Sequence, residues 1–142
     1  MPSDHIEELE TALYNRLAGG TALTNLLGGT LIHNTVAPPH TEPPYVLFQQ
    51  QAGGDENVTP RRSRDPIYLV KAVTLDGREA AIALDRECDT LLHKNELPVM
   101  GDWGNHRLNR TEDVSFVEQD DAGKQYFHQG GLYRVKIAEI FP

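Results

Sequence analysis

Hydrophobic positions along this chain switch between a helical and a strand-like spacing, and the switches mark out its elements. Ile6, Leu9, Leu13 and Leu17 recur three to four residues apart, which predicts an opening amphipathic helix. Asp4 is placed to cap it, Glu7 is its capping-box partner, and Gly19-Gly20 stops it. A shorter helical turn follows, with Thr21 as cap, Leu23, Leu26 and Leu27 apolar, and Gly28-Gly29 closing it. Residues 31–36 then read as a strand ended by Ala37-Pro38-Pro39, and residues 45–51 as the next. Pro43 and Pro44 stand at the start of that strand, where a missing N–H costs a sheet little.

A polar stretch from 52 to 65 separates this strand from the most strand-like run of the chain, 67–73. Asp76, with Glu79 three residues on, opens a second long helix over 77–93. Its apolar stripe is Ala80, Ala81, Leu84, Cys88, Leu91 and Leu92, and Arg78, Asp85, Arg86 and Asp89 mostly lie off it. At ~1.5 Å per residue such a helix is about 25 Å long, enough to cross a small sheet. The remainder is strand-like: weakly at 107–110, better at 114–119, then a turn at Asp121-Ala122-Gly123-Lys124. A short strand at 126–129 and a final one at 132–141, alternating apolar and basic, complete the pattern. The order of helix, strands, helix, strands predicts an α+β fold: a largely antiparallel sheet covered on one face by two main helices. Residues 1–142 form a single domain on this reading.

Length and charge narrow the function. A chain of 142 residues buries about two thirds of its unfolded surface without help from a disulfide or metal. Its apolar (39%) and charged (24%) fractions are those of a globular protein. The net charge of −8 argues against general affinity for nucleic acid or an anionic membrane, while leaving room for a local basic site. A single cysteine makes no internal disulfide. The N-terminus lacks the basic and apolar regions of a signal peptide, and no apolar run approaches the ~20 residues of a membrane span. A protein made and kept in the cytoplasm is the expectation.

The search for chemistry is mostly negative. The six histidines (His5, His33, His40, His93, His106, His128) show no HxH, HExxH or Cys/His spacing that would put two ligands on one metal. Cys88 falls within the apolar stripe of the second long helix, where burial disfavours the thiolate, so core packing outweighs a nucleophile role. Glu7, Glu8 and Glu10 read as a solvated helix surface, and Glu118, Asp120 and Asp121 as a solvated turn. No phosphate-binding or dinucleotide fingerprint exists. No catalytic residue, cofactor or metal is predicted, and the protein is read as a non-enzyme.

Two contact features remain. The 52–65 stretch is about fourteen residues long, beyond most connections in a compact domain. It carries Thr59-Pro60-Arg61-Arg62-Ser63-Arg64. Arg61, Arg62 and Arg64 can pair bidentately with carboxylates of another chain, bind phosphate, or solubilise a loop, and the protein interface is the leading reading. Trp103, the only tryptophan, stands among glycines in Val99-Met100-Gly101-Asp102-Trp103-Gly104. It either seals the core edge or anchors a partner.

The order of these features resembles a known family. An amphipathic helix leads to a Leu-Leu-Gly-Gly stop, an apolar strand and a Pro-Pro bend, then Pro44-Tyr45-Val46-Leu47-Phe48-Gln49. An arginine-bearing loop, a β-rich run, the helix from Arg78 to His93 and a strand with Gly131-Leu132-Tyr133-Arg134-Val135 follow. This is similar to the tail-completion, or tail-terminator-like, proteins of long-tailed bacteriophages. The resemblance implies a structural virion protein forming a ring, typically a hexamer, at the head-proximal end of the tail. There it ends the tail tube and joins it to the head connector. Its implied partners are copies of itself, the major tail tube protein and a head-completion or connector protein, with assembly in the host cytoplasm. DNA would pass through the channel without specific binding, and no membrane is involved. Arg61, Arg62, Arg64 and Trp103 are then the expected interface residues. A small nucleic-acid-binding module using the arginine loop is the alternative.

Overall fold

The computed structural model describes residues 5–53, 62–98 and 101–140. Asp4, Arg61, Val99, Met100 and Phe141 lie outside the described residues. The chain runs α1 (His5–Ala18), α2 (Thr21–Leu27), β1 (Ile32–Asn34), β2 (Tyr45–Ala52), β3 (Ser63–Arg64), β4 (Ile67–Thr74), α3 (Arg78–Leu92), β5 (Trp103–Gln119) and β6 (Gln125–Glu139). The fold is α+β, with three helices and a six-stranded mixed sheet.

Hydrophobic periodicity explains the helices. Leu9, Leu13 and Leu17 of α1 are buried on one side. Leu84, Cys88 and Leu92 of α3 do the same. Both share one core with Val46, Phe48, Tyr68, Val70, Tyr133, Val135 and Ile137 from the strands. Burying each such side chain is worth about 1.5–3 kcal/mol, which is why the stripe dictates which way a helix turns. Helix α2 ends at Gly28, whose φ of 79° is left-handed. The N–H groups of Gly28 and Gly29 return to the carbonyls of Asn25 and Thr24 and satisfy them.

The caps predicted for α2 and α3 are not used. Gly20 and Gly77 occupy the N-cap positions of α2 and α3, neither with a side-chain cap, so Thr21 and Asp76 do not cap these helices. Arg16 instead supplies a cap in trans. Its guanidinium donates to the carbonyls of Leu91 (3.1 Å), Asn95 (2.9 Å) and Glu96 (3.0 Å), at the C-terminal end of α3. A cation there complements the helix dipole and ties α1 to α3.

The sheet is ordered β1-β2-β4-β6, with β5 on the far edge of β6. Among the described residues only β1 and β2 are parallel; the other pairs are antiparallel. Three expected boundaries differ. The strand expected at 31–36 forms only over Ile32–Asn34. The separate strands expected at 107–110 and 114–119 are one strand of 17 residues, and those at 126–129 and 132–141 are one of 15. These two form a long hairpin from Trp103↔Glu139 to Gln119↔Gln125, and each is held along its length by the other. Within the predicted long loop, Ser63 and Arg64 pair with Ala138 and Ile137. Ala138 and Ile137 also pair with Gly104 and Asn105 of β5, so β3 lies on the β4 side of β6 and prolongs it. Asp65-Pro66 interrupts the two because proline has no N–H to give, yet the Pro66 carbonyl still accepts from the Val135 N–H at 2.9 Å.

Two tyrosines bind the helices to the sheet. Tyr68 and Tyr133 are register partners on β4 and β6. The Tyr68 hydroxyl donates to Glu10 of α1 at 2.9 Å, and that of Tyr133 donates to Asp89 of α3 at 2.9 Å. Glu10 also accepts from Asn34 at 2.6 Å, so it does more than solvate a helix surface. On the alternate positions of the same strands, Leu47, Leu69, Lys71 and Leu132 are half-buried.

Candidate assembly interface

The described part of the arginine segment begins with Arg62, which is exposed and anchored through its backbone. Its N–H donates to Glu139 Oε1 at 2.8 Å, and its carbonyl accepts from the Glu139 N–H at 2.9 Å. Ser63 is buried and donates its hydroxyl to the Ile137 carbonyl at 3.3 Å, while Arg64 is half-buried. Residues 62–64 are therefore clamped to the C-terminal end of β6, and this fixes where Arg62 and Arg64 leave the sheet. Trp103 starts β5 at the same end of the hairpin, pairing with Glu139. Its indole is 3% exposed and belongs to the core, with the His5 ring 5.4 Å away. Of the two readings of Trp103, the monomer adopts the packed one. The structure brings Arg62, Arg64 and Trp103 to one end of the molecule.

Asp85 was expected to lie off the apolar stripe of α3, but it is buried (7% exposed). The cause is Arg110 on β5, whose Nη1 and Nη2 meet the two Asp85 oxygens at 2.8 and 2.9 Å. The same guanidinium reaches Asp113 (2.8 Å), the Gly130 carbonyl (2.8 Å) and the Tyr133 hydroxyl (3.2 Å). Asp85 raises the Arg110 pKa above an already high value, outweighing the burial that opposes it. Gly131 makes the space: a Cβ there would lie 2.6 Å from Arg110 Nε. Burial likewise pushes the Cys88 thiol up, so it packs as a small hydrophobe.

The opposite end of the hairpin carries a second cluster that sequence reasoning treated as a solvated turn. Tyr45, Glu118, Gln119, Asp120, Tyr126 and His128 line a hollow of about 210 Å³. His128 is 6% exposed and stacks on Phe116, centroids 4.2 Å apart and planes 12° from parallel. Its Nε2 lies 2.6 Å from Glu118 Oε1. Burial first, and then Lys71, lower the His128 pKa against the pull of Glu118, which keeps the imidazole neutral near pH 7. Tyr45 is raised by burial, then by Glu118 and Tyr126. A faint signal existed in the sequence: two tyrosines and a histidine beside carboxylates. Only the pairing of β2, β4, β6 and β5 puts Tyr45 next to Glu118.

Among the described residues no group of three or more His, Cys, Asp or Glu is placed to hold a metal ion. Among the same residues no helix is long and apolar enough to cross a membrane. Charged residues stand at both ends of the hairpin of β5 and β6. The chain belongs to the family described as tail completion protein gp17, whose model matches residues 11–134. It is a structural component of a phage-type virion tail. No curated protein matches it. Its fold is similar to a chain of the structure "Virion of native gene transfer agent (GTA) particle", with a TM-score of 0.78. That similarity covers 96% of this chain and 98% of the other at 16% identity, so the likeness is one of fold.

Proposed function

We propose that this protein forms a closed ring at the head-proximal end of the tail, where it ends the tail tube and joins it to the head connector. Membership of the tail completion family over residues 11–134 carries the reading. A ring needs a heterologous contact, in which one patch of a subunit meets a different patch of the next and the rotation closes. A subunit with unlike contact surfaces at its two ends suits that geometry. The partners are copies of itself, the major tail tube protein and the connector, and six copies is the expected number. With −8 per subunit, such a ring carries an acidic field that lets DNA pass without sticking.

Native mass spectrometry tests the ring, on the full chain alone and then mixed with tail-tube or connector protein. The expected result is an integer multiple of 15.8 kDa above one. A strict monomer under all of those conditions would sink the proposal. Replacing Arg61, Arg62 and Arg64 together by alanine is expected to impair assembly with the unfolding midpoint retained. Unchanged tail formation would remove the arginine segment from the interface.

A further inference from the structure

The two charged surfaces lie at opposite ends of β6. The arginine stretch pairs at Ile137 and Ala138, while the hollow is built around His128. Nine to ten strand residues separate them, roughly 30 Å at about 3.4 Å each. Their charges are complementary. Around the hairpin tip stand Glu118, Asp120 and Asp121 against Lys124. We propose that the hollow lined by Tyr45, Glu118, Tyr126 and His128 receives the Arg62-Ser63-Arg64 stretch of a second copy, so that copies join head to tail. This rests on the ring reading and specifies its contact.

The lining asks for a cationic hydrogen-bond donor. Glu118 offers a carboxylate, and Asp120 keeps Oδ2 beside the Tyr126 hydroxyl at 3.5 Å while its Oδ1 is taken by the Ala122 and Lys124 N–H groups. Both ring nitrogens of His128 are buried without a hydrogen-bond partner, although Nε2 lies 2.6 Å from Glu118 Oε1. A guanidinium supplies the missing donor, and the Tyr45 and Tyr126 rings attract a cation. Lys71, with its Nζ over the Phe116 ring at 5.1 Å, acts electrostatically on Glu118 and His128 from beside the hollow. A guanidinium has five N–H donors, so an arginine already bonded within its own chain keeps some for a neighbour.

Charge exchange between the two surfaces tests the contact, read by sedimentation velocity on full-length chains whose folding is checked by circular dichroism and urea unfolding. Glu118→Lys is expected to weaken self-association at least 10-fold, Glu118→Gln less, and Arg62→Glu with Arg64→Glu as much as the lysine variant. Mixing the lysine variant with the glutamate variant matches both contacts, the native arginines in the native hollow and the two reversed charges against each other, so the mixture is expected to assemble with the two chains alternating. Carrying all three changes in one chain restores assembly. A wild-type chain that assembles while Glu118→Lys and Glu118→Gln assemble equally well overturns this contact and leaves the ring standing. Absence of rescue in the triple variant overturns it too. A wild-type monomer in every mixture overturns the ring and the contact together.

Discussion

Asp85 and Arg110 carry the largest single-residue consequence. Their side chains are 10% and 13% exposed, so removing Arg110 leaves Asp85 charged, buried and unmatched, while removing Asp85 leaves Arg110 with Asp113 and, at 3.7 Å, Asp89. Breaking such a pair typically costs about 3–5 kcal/mol. Asp85→Ala is expected to lower unfolding stability by about 3 kcal/mol, measured by urea titration, and Arg110→Lys to be destabilising as well. A lysine is a point charge and cannot span Asp85, Asp113 and the Gly130 carbonyl together. His128 gives a pH dependence. Its folded pKa lies below the ordinary 6.5, so the unfolded chain takes up the proton first as pH falls. The neutral ring's contribution is therefore complete above about pH 6.5 and is lost as pH drops toward the folded value. An NMR titration is expected to place the His128 midpoint below 6.5, and a midpoint above it would mean that Glu118 wins over burial. Cys88, 1% exposed with its thiol pushed up, is expected to resist alkylation in the native protein and react once urea unfolds it.

The hairpin of β5 and β6 is the element that organises the rest. It presents the arginine stretch at one end and the aromatic-acidic hollow at the other. Among the described residues β5 pairs only with β6 and has register breaks at Asn105/Arg107 and Arg110/Glu112. Bulges of this kind twist an edge strand and discourage unwanted pairing. The break beside Arg110 also turns that side chain toward α3, and Gly131 across the ladder leaves it room. Gly131→Ala is expected to cost on the order of 1–3 kcal/mol by overpacking. Faster amide exchange along β5 near Arg110 is the accompanying measurement, and exchange unchanged from wild type would show that the guanidinium does not need the space.

For the whole molecule, the balance of 21 acidic against 13 basic residues opposes indiscriminate DNA binding despite the arginine stretch. A gel-shift assay at physiological salt is expected to show no retarded DNA. Retardation that falls steeply with salt and disappears in Arg62→Glu with Arg64→Glu would favour the nucleic-acid reading instead.

The course of α1, α3, β2 and β4 was legible in the chain because local period is a local property. Leu9, Leu13 and Leu17 must share a helix face whatever they meet, and Val46, Phe48, Tyr68 and Val70 alternate for the same reason. The element order likewise carried the family resemblance. Contacts between residues far apart in sequence were not legible. Asp85 reads as a surface carboxylate until β5 delivers Arg110 to it, and the stretch after Arg61 reads as loop until β6 supplies Ala138 as a partner. Trp103 reads as core edge ahead of partner anchor, and its burial places it in the core. The apolar pattern, set by each side chain's preference between water and core, thus determined the elements from the sequence alone. Which charges are paired and which surfaces stand at the two ends was decided by tertiary structure, because strand pairing joins residues that no local pattern links.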